Sequence, residues 1–111
     1  MTRKPKGGWP KPPSVSEQEA IDIAKKHISA ECDFKACHFD GGFRMGIMAR
    51  LPTDDGYHHV SEMAVPNVTI IDGIVQSITR QDMLDSIDAA AIRLGSLVNK
   101  RLHYGRTQPS H

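Results

Sequence analysis

Residues 43–51, Phe43-Arg44-Met45-Gly46-Ile47-Met48-Ala49-Arg50-Leu51, alternate apolar side chains at odd positions with arginines near both ends of the even ones. Successive strand residues point to opposite faces, so this period of two predicts a half-buried strand with Phe43, Met45, Ile47, Ala49 and Leu51 toward a core. Arg44 and Arg50 then face water or a partner. Immediately upstream, Asp40-Gly41-Gly42 offers a turn after an apolar run, Phe34–Phe39, which makes the pair a hairpin. Downstream, residues 52–56 read as a surface turn and Tyr57–Val65 as a third strand that Pro66-Asn67 ends.

A second hairpin is signalled by Asp72-Gly73 between Val68–Ile71 and Ile74–Ile78, because Asp-Gly suits the positive backbone angles of a tight two-residue turn. Outside the strands the period becomes helical. Ser14-Val15-Ser16-Glu17-Gln18-Glu19 holds two overlapping capping boxes, and Ile21, Ala24 and Ile28 form a stripe ending near Ala30. Thr79 is the N-cap expected for a second helix, in which Leu84, Ile87, Ala91, Leu94, Val98 and Leu102 recur at steps of three and four. Lys100, Arg101 and His103 suit its C-terminal dipole, and Gly105 suits a left-handed cap. The expected fold class is α+β: an N-terminal helix, an antiparallel sheet of four to five strands with hairpins at 40–42 and 72–73, and a long C-terminal helix packed on one face.

With 111 residues the chain has room for one core. It divides into an extended basic Pro/Gly-rich arm (1–13), a single α+β domain (14–104) and a flexible C-terminal tail (105–111). All thirteen acidic residues lie between Glu17 and Asp88. The arm carries Arg3, Lys4, Lys6 and Lys11 and the C-terminal end carries Lys100, Arg101 and Arg106, so a formal total of +1 leaves −6 to residues 14–98. Such segregation lets the tails fold back on the body or meet a polyanion. No apolar run is long enough to cross a bilayer and no secretory signal opens the sequence, so a cytoplasmic protein with reduced thiols is expected.

His27, Cys32, Cys37 and His38 give H-x4-C-x4-C-H, a donor set that invites zinc. Zinc knuckles place paired ligands two to four residues apart, whereas Cys37 and His38 are adjacent on a strand and diverge. Cys37 therefore reads as a small core residue. His58 with Glu62, or His59 with Tyr57 and Ser61, could share a face, but neither set is a motif. Nucleophile-elbow, phosphate-loop, dinucleotide and HExxH signatures are missing from the sequence. No catalytic residue, metal ligand or cofactor is assigned.

The order helix, strands, helix resembles that of double-stranded-RNA-binding domains and of small secretion chaperones. The basic start of the second helix found in the former is replaced here by Arg80 against Asp82, Asp85 and Asp88. The leading expectation is a non-enzymatic binding or regulatory protein that contacts another protein, with Arg3, Lys4, Lys6, Trp9, Lys11, Arg44, Arg50, Lys100 and Arg101 as partner-binding residues. One alternative is a nucleic-acid binder using the arm and the end of the second helix, since cations beside Trp9 suit phosphate and base stacking. Another is a small metal-dependent or hydrolytic enzyme built on the histidines. A helix of this length would overhang a short sheet, so Ala91, Leu94, Gly95, Val98 and Leu102 form a face for a homodimer unless the first helix covers them.

Overall fold

The computed structural model describes residues 11–53 and 56–107, with side-chain surroundings given for 11–52 and 56–102. Helix α1 runs over Glu17–His27, strand β1 over Asp33–Phe39, β2 over Arg44–Thr53 and β3 over Gly56–Ala64. Two short strands, β4 (Ile70–Ile71) and β5 (Ile74–Val75), precede helix α2 (Arg80–Thr107). Of the two serine caps, Ser16 is used: its Oγ accepts from the Glu19 N–H at 3.1 Å, and the Ser16 N–H donates to Glu19 Oε2 at 2.8 Å. Thr79 repeats the device on α2, its Oγ1 accepting from the Asp82 N–H at 3.0 Å while its own N–H donates to Asp82 at 2.8 Å. Both caps answer N–H groups that a first helical turn leaves without internal partners.

Strands β1, β2 and β3 form an antiparallel sheet in sequence order, with Lys35 opposite Met48 and Ser61 opposite Met48 on the other side. The alternation in β2 is realised: Met45, Ile47, Ala49 and Leu51 are all 0% exposed. Both helices lie on this face and on each other, α1 over β1 and β2 and α2 over β2 and β3. Ala20, Ala24 and Ile28 of α1 meet Met83, Ile87, Ala91, Leu94 and Val98 of α2 in one core cluster. A buried aliphatic side chain of this size stabilises by roughly 1.5–3 kcal/mol relative to exposure, so the cluster is the main source of fold stability.

Four expectations are corrected. The sheet has three strands, because Pro66 lacks an N–H for a ladder and the chain leaves the sheet after Ala64; β4 and β5 pair only with each other. Helix α2 continues through Gly105 to Thr107, glycine being tolerated within a helix at about 1 kcal/mol. Cys37 is exposed and Cys32 half-buried, since Cys37 shares the uncovered sheet face with Lys35 and Phe39. The stripe offered to a second copy is taken by α1. Ala91, Leu94 and Val98 are fully buried, Leu102 packs partly buried on the same cluster, and Gly95 lets Ile28 approach to 3.4 Å of where a Cβ would stand.

Candidate functional site: an uncovered apolar surface

With both helices on one side, the other face of the sheet has no covering element among the described residues. Its rows, read from the register, are Asp33–Arg50–His59, Lys35–Met48–Ser61, Cys37–Gly46–Met63 and Phe39–Arg44. The middle is apolar. The Phe39 ring lies over Gly46 so closely that a Cβ there would fall 2.6 Å from it, which is why this position needs a bare backbone. Beside the ring is a trough of about 550 Å³ walled by Lys35, Cys37, Phe39, Met48, Ser61 and Met63.

The charges at the ends of this face are already matched. Arg44 is held by Asp40; Arg50 donates to Asp33 at 2.7 Å and stacks its guanidinium 4.5 Å from the Tyr57 ring centre. Paired exposed arginines of this kind offer a partner little uncompensated charge. Arg93 bonds Glu62 at 2.8 Å and the Met63 carbonyl at 3.1 Å, occupying an acceptor on the outer edge of β3. The predicted partner-binding residues are thus not gathered in one place. Arg44 and Arg50 sit at opposite ends of the sheet, Lys100 and Arg101 are exposed near the far end of α2, and Arg3, Lys4, Lys6 and Trp9 lie outside the described residues. Lys11 is described and exposed.

The histidines and cysteines do not converge. His27 Nε2 pairs with Asp88 at 2.5 Å, and His38 Nε2 donates to the Val15 carbonyl at 2.7 Å with Glu17 3.9 Å from its other nitrogen. These contacts fasten the two ends of α1. The Cys32 thiol reaches the Ala30 carbonyl at 3.6 Å, and burial, reinforced by Asp33, pushes it above its usual range, which favours the unreactive thiol. No group of three metal-binding side chains meets among the described residues, and Glu62 is engaged by Arg93.

Sequence reasoning missed the exposure of the second hairpin. Asp72 and Gly73 have φ of 53° and 77°, both positive as the tight turn requires, and the Gln76 N–H closes the ladder on the Thr69 carbonyl at 2.8 Å. Yet Ile70 is 59% exposed, Ile71 54% and Ile74 46%, while Val75 and Ile78 are buried beneath. Val65 (53%) and Val68 (43%) connect this hairpin to the sheet. Val65 borders two depressions, one with Phe43, Pro66, Val68 and Ile78, the other with Met63 and polar residues of the first turns of α2. Five branched aliphatics exposed within ten residues were visible as composition, but their freedom depended on where the sheet ended.

No helix among the described residues is long and apolar enough to cross a membrane. Comparison with known proteins found no family model, no curated protein and no solved structure that matches this chain.

Proposed function

We propose that this chain is a non-enzymatic binding domain that engages another protein through the apolar surface running from the open sheet face to the hairpin at 70–75. The observation that carries this reading is the exposure of five branched aliphatic side chains, Val65, Val68, Ile70, Ile71 and Ile74, within ten residues. Contiguous apolar patches of this kind are uncommon on monomeric proteins unless they serve an interaction. A two-stranded hairpin has little stability by itself, so displaying isoleucines on one is a poor investment for folding alone and suits docking. The flanking ion pairs, Arg44 with Asp40 and Arg50 with Asp33, form a polar rim of the kind that surrounds protein interfaces.

A nucleic-acid reading draws less support from the described body. Arg44, Arg50, Arg80 and Arg93 each pair with a carboxylate, and the first two turns of α2 carry Asp82 and Asp85. Affinity capture with the full chain, with and without nuclease, distinguishes the two. A protein retained after nuclease and lost with the double variant Ile70→Asp, Ile71→Asp is the expected result; release by nuclease alone would transfer the proposal to nucleic acid.

A further inference from the structure

The open face of the sheet carries a charge that the described residues leave unanswered. Arg44 is held by Asp40, Arg50 by Asp33, and Glu62, on the β3 wall of the trough, by Arg93. Lys35 is exposed on the same face, opposite Met48, and has no carboxylate partner among the described residues. Around it the trough is apolar and soft, with half-buried Met48 and Met63, exposed Cys37 and the Phe39 ring. Unbranched thioethers adapt to the shape they meet, so they recur where a partner's helix is seated.

The dimensions of the trough select a helix. From the Lys35 row to the Phe39 row is a rise of about 13 Å along β1, and from β1 to β3 the face measures about 10 Å across. A helix with its side chains is about 10–12 Å wide and covers such a length in about nine residues. An extended segment laid over the face would leave backbone N–H and C=O groups against side chains, whereas a helix satisfies its own. Charge selects against a second copy. Pairing two open faces would bring two Lys35 ammoniums into an interface whose carboxylates Asp33 and Asp40 are already engaged. Resting on the reading of this chain as a protein-binding domain, we propose that the trough seats an amphipathic helix of a partner protein. Its apolar side chains at i, i+4 and i+7 lie along Phe39, Met63 and Met48, and an aspartate or glutamate one turn further on pairs with Lys35.

The probe is a displayed library of alanine-based helices, randomised at these apolar positions and at the position one turn beyond, selected on the full chain. Enriched peptides should carry aliphatic or aromatic residues on the stripe and an acid beyond it. For the best of them, synthesised and followed by fluorescence anisotropy, Lys35→Glu should weaken binding by about fivefold, and exchanging the peptide's acid for lysine should recover it. Met48→Asp should weaken it by about tenfold or more while circular dichroism stays unchanged. No enrichment, enrichment without an acid, or indifference to Lys35→Glu would overturn the proposal. So would affinity that survives a proline placed in the middle of the peptide, or a dimer of the chain that Met48→Asp dissociates, which would put a second copy on this face. Peptide binding that Ile71→Asp abolishes and Met48→Asp leaves intact would sink the trough as the seat and keep the protein-binding reading, whereas capture released by nuclease alone removes that reading itself.

Discussion

Strand β2 and the hairpin β4–β5 are both rich in aliphatic residues and both flank a glycine turn, yet Ile47 is fully buried and Ile71 is 54% exposed. The difference lies outside either segment. β2 is the central strand of three and has two helices over one face; β4 and β5 pair for two residues each, and among the described residues no helix packs on them. Strand propensity therefore decides that a segment is extended, while burial is decided by which distant element covers it. Two isoleucines of equal intrinsic hydrophobicity contribute unequally to folding, and the unequal one is left available for recognition.

The sharpest way to break this contrast is to truncate both. Ile47→Ala removes methyl groups from the sealed core and is expected to destabilise by about 2–5 kcal/mol, measured by urea unfolding. A loss below about 1 kcal/mol would mean that the helices do not seal the inner face. The next largest effect concerns α1, which provides part of that cover. Ser16→Ala deletes the oxygen that caps it and should destabilise by about 1 kcal/mol.

Glu19, the other half of the same capping box, adds a pH dependence. Its carboxyl is lowered from 4.5 to about 2, first by the hydrogen bond from Arg80 and then by the Ser16 backbone N–H. A carboxyl depressed in the folded state stabilises fully above its ordinary value and loses that contribution as pH falls from about 4.5 through about 2. Thermal midpoints taken across this window should drop less for Glu19→Gln than for the unaltered chain. Equal slopes would detach the Arg80 contact from folding. The pair is exposed, so added salt should reduce the difference.

How far these features were legible follows from the same contrast. The alternation of Met45 to Leu51, the Ser16 and Thr79 caps and the Asp72-Gly73 turn are local patterns, and each appears where the residues place it. Cys37 was not legible, because β1 has Phe34 and Ala36 on one face and Cys37 and Phe39 on the other, and periodicity alone cannot say which face a helix will cover. The same ignorance of distant cover made the stripe of Ala91, Leu94 and Val98 look available to a second copy when α1 occupies it. It also hid the open trough and the exposed hairpin. A surface that works by being left uncovered has no local signature beyond its residues.

Gly95 tests that cover with the opposite sign. The space beside it accepts a methyl at 3.4 Å from Ile28 and 3.9 Å from the His27 carbonyl, ordinary contact distances, while alanine favours the helix by about 0.8–1.0 kcal/mol. Gly95→Ala should therefore stabilise by somewhat under 1 kcal/mol. A destabilisation would show that α1 sits too close to α2 for even one methyl.

The smallest expected effect is the most informative about function. Ile71→Asp replaces a side chain that is half in water and belongs to no core cluster, so folding stability should change by less than about 0.5 kcal/mol. Hairpin pairing need not suffer, since the turn angles belong to Asp72 and Gly73 and the closing bond runs between Gln76 and Thr69. If urea unfolding nonetheless shows a loss as large as that of Ile47→Ala, the hairpin is covered in solution by some part of the chain or by another copy. The isoleucines would then be structural residues, and the contrast between the two aliphatic segments would vanish. If stability holds while capture of a protein partner is lost, the same substitution separates recognition from folding at a single side chain.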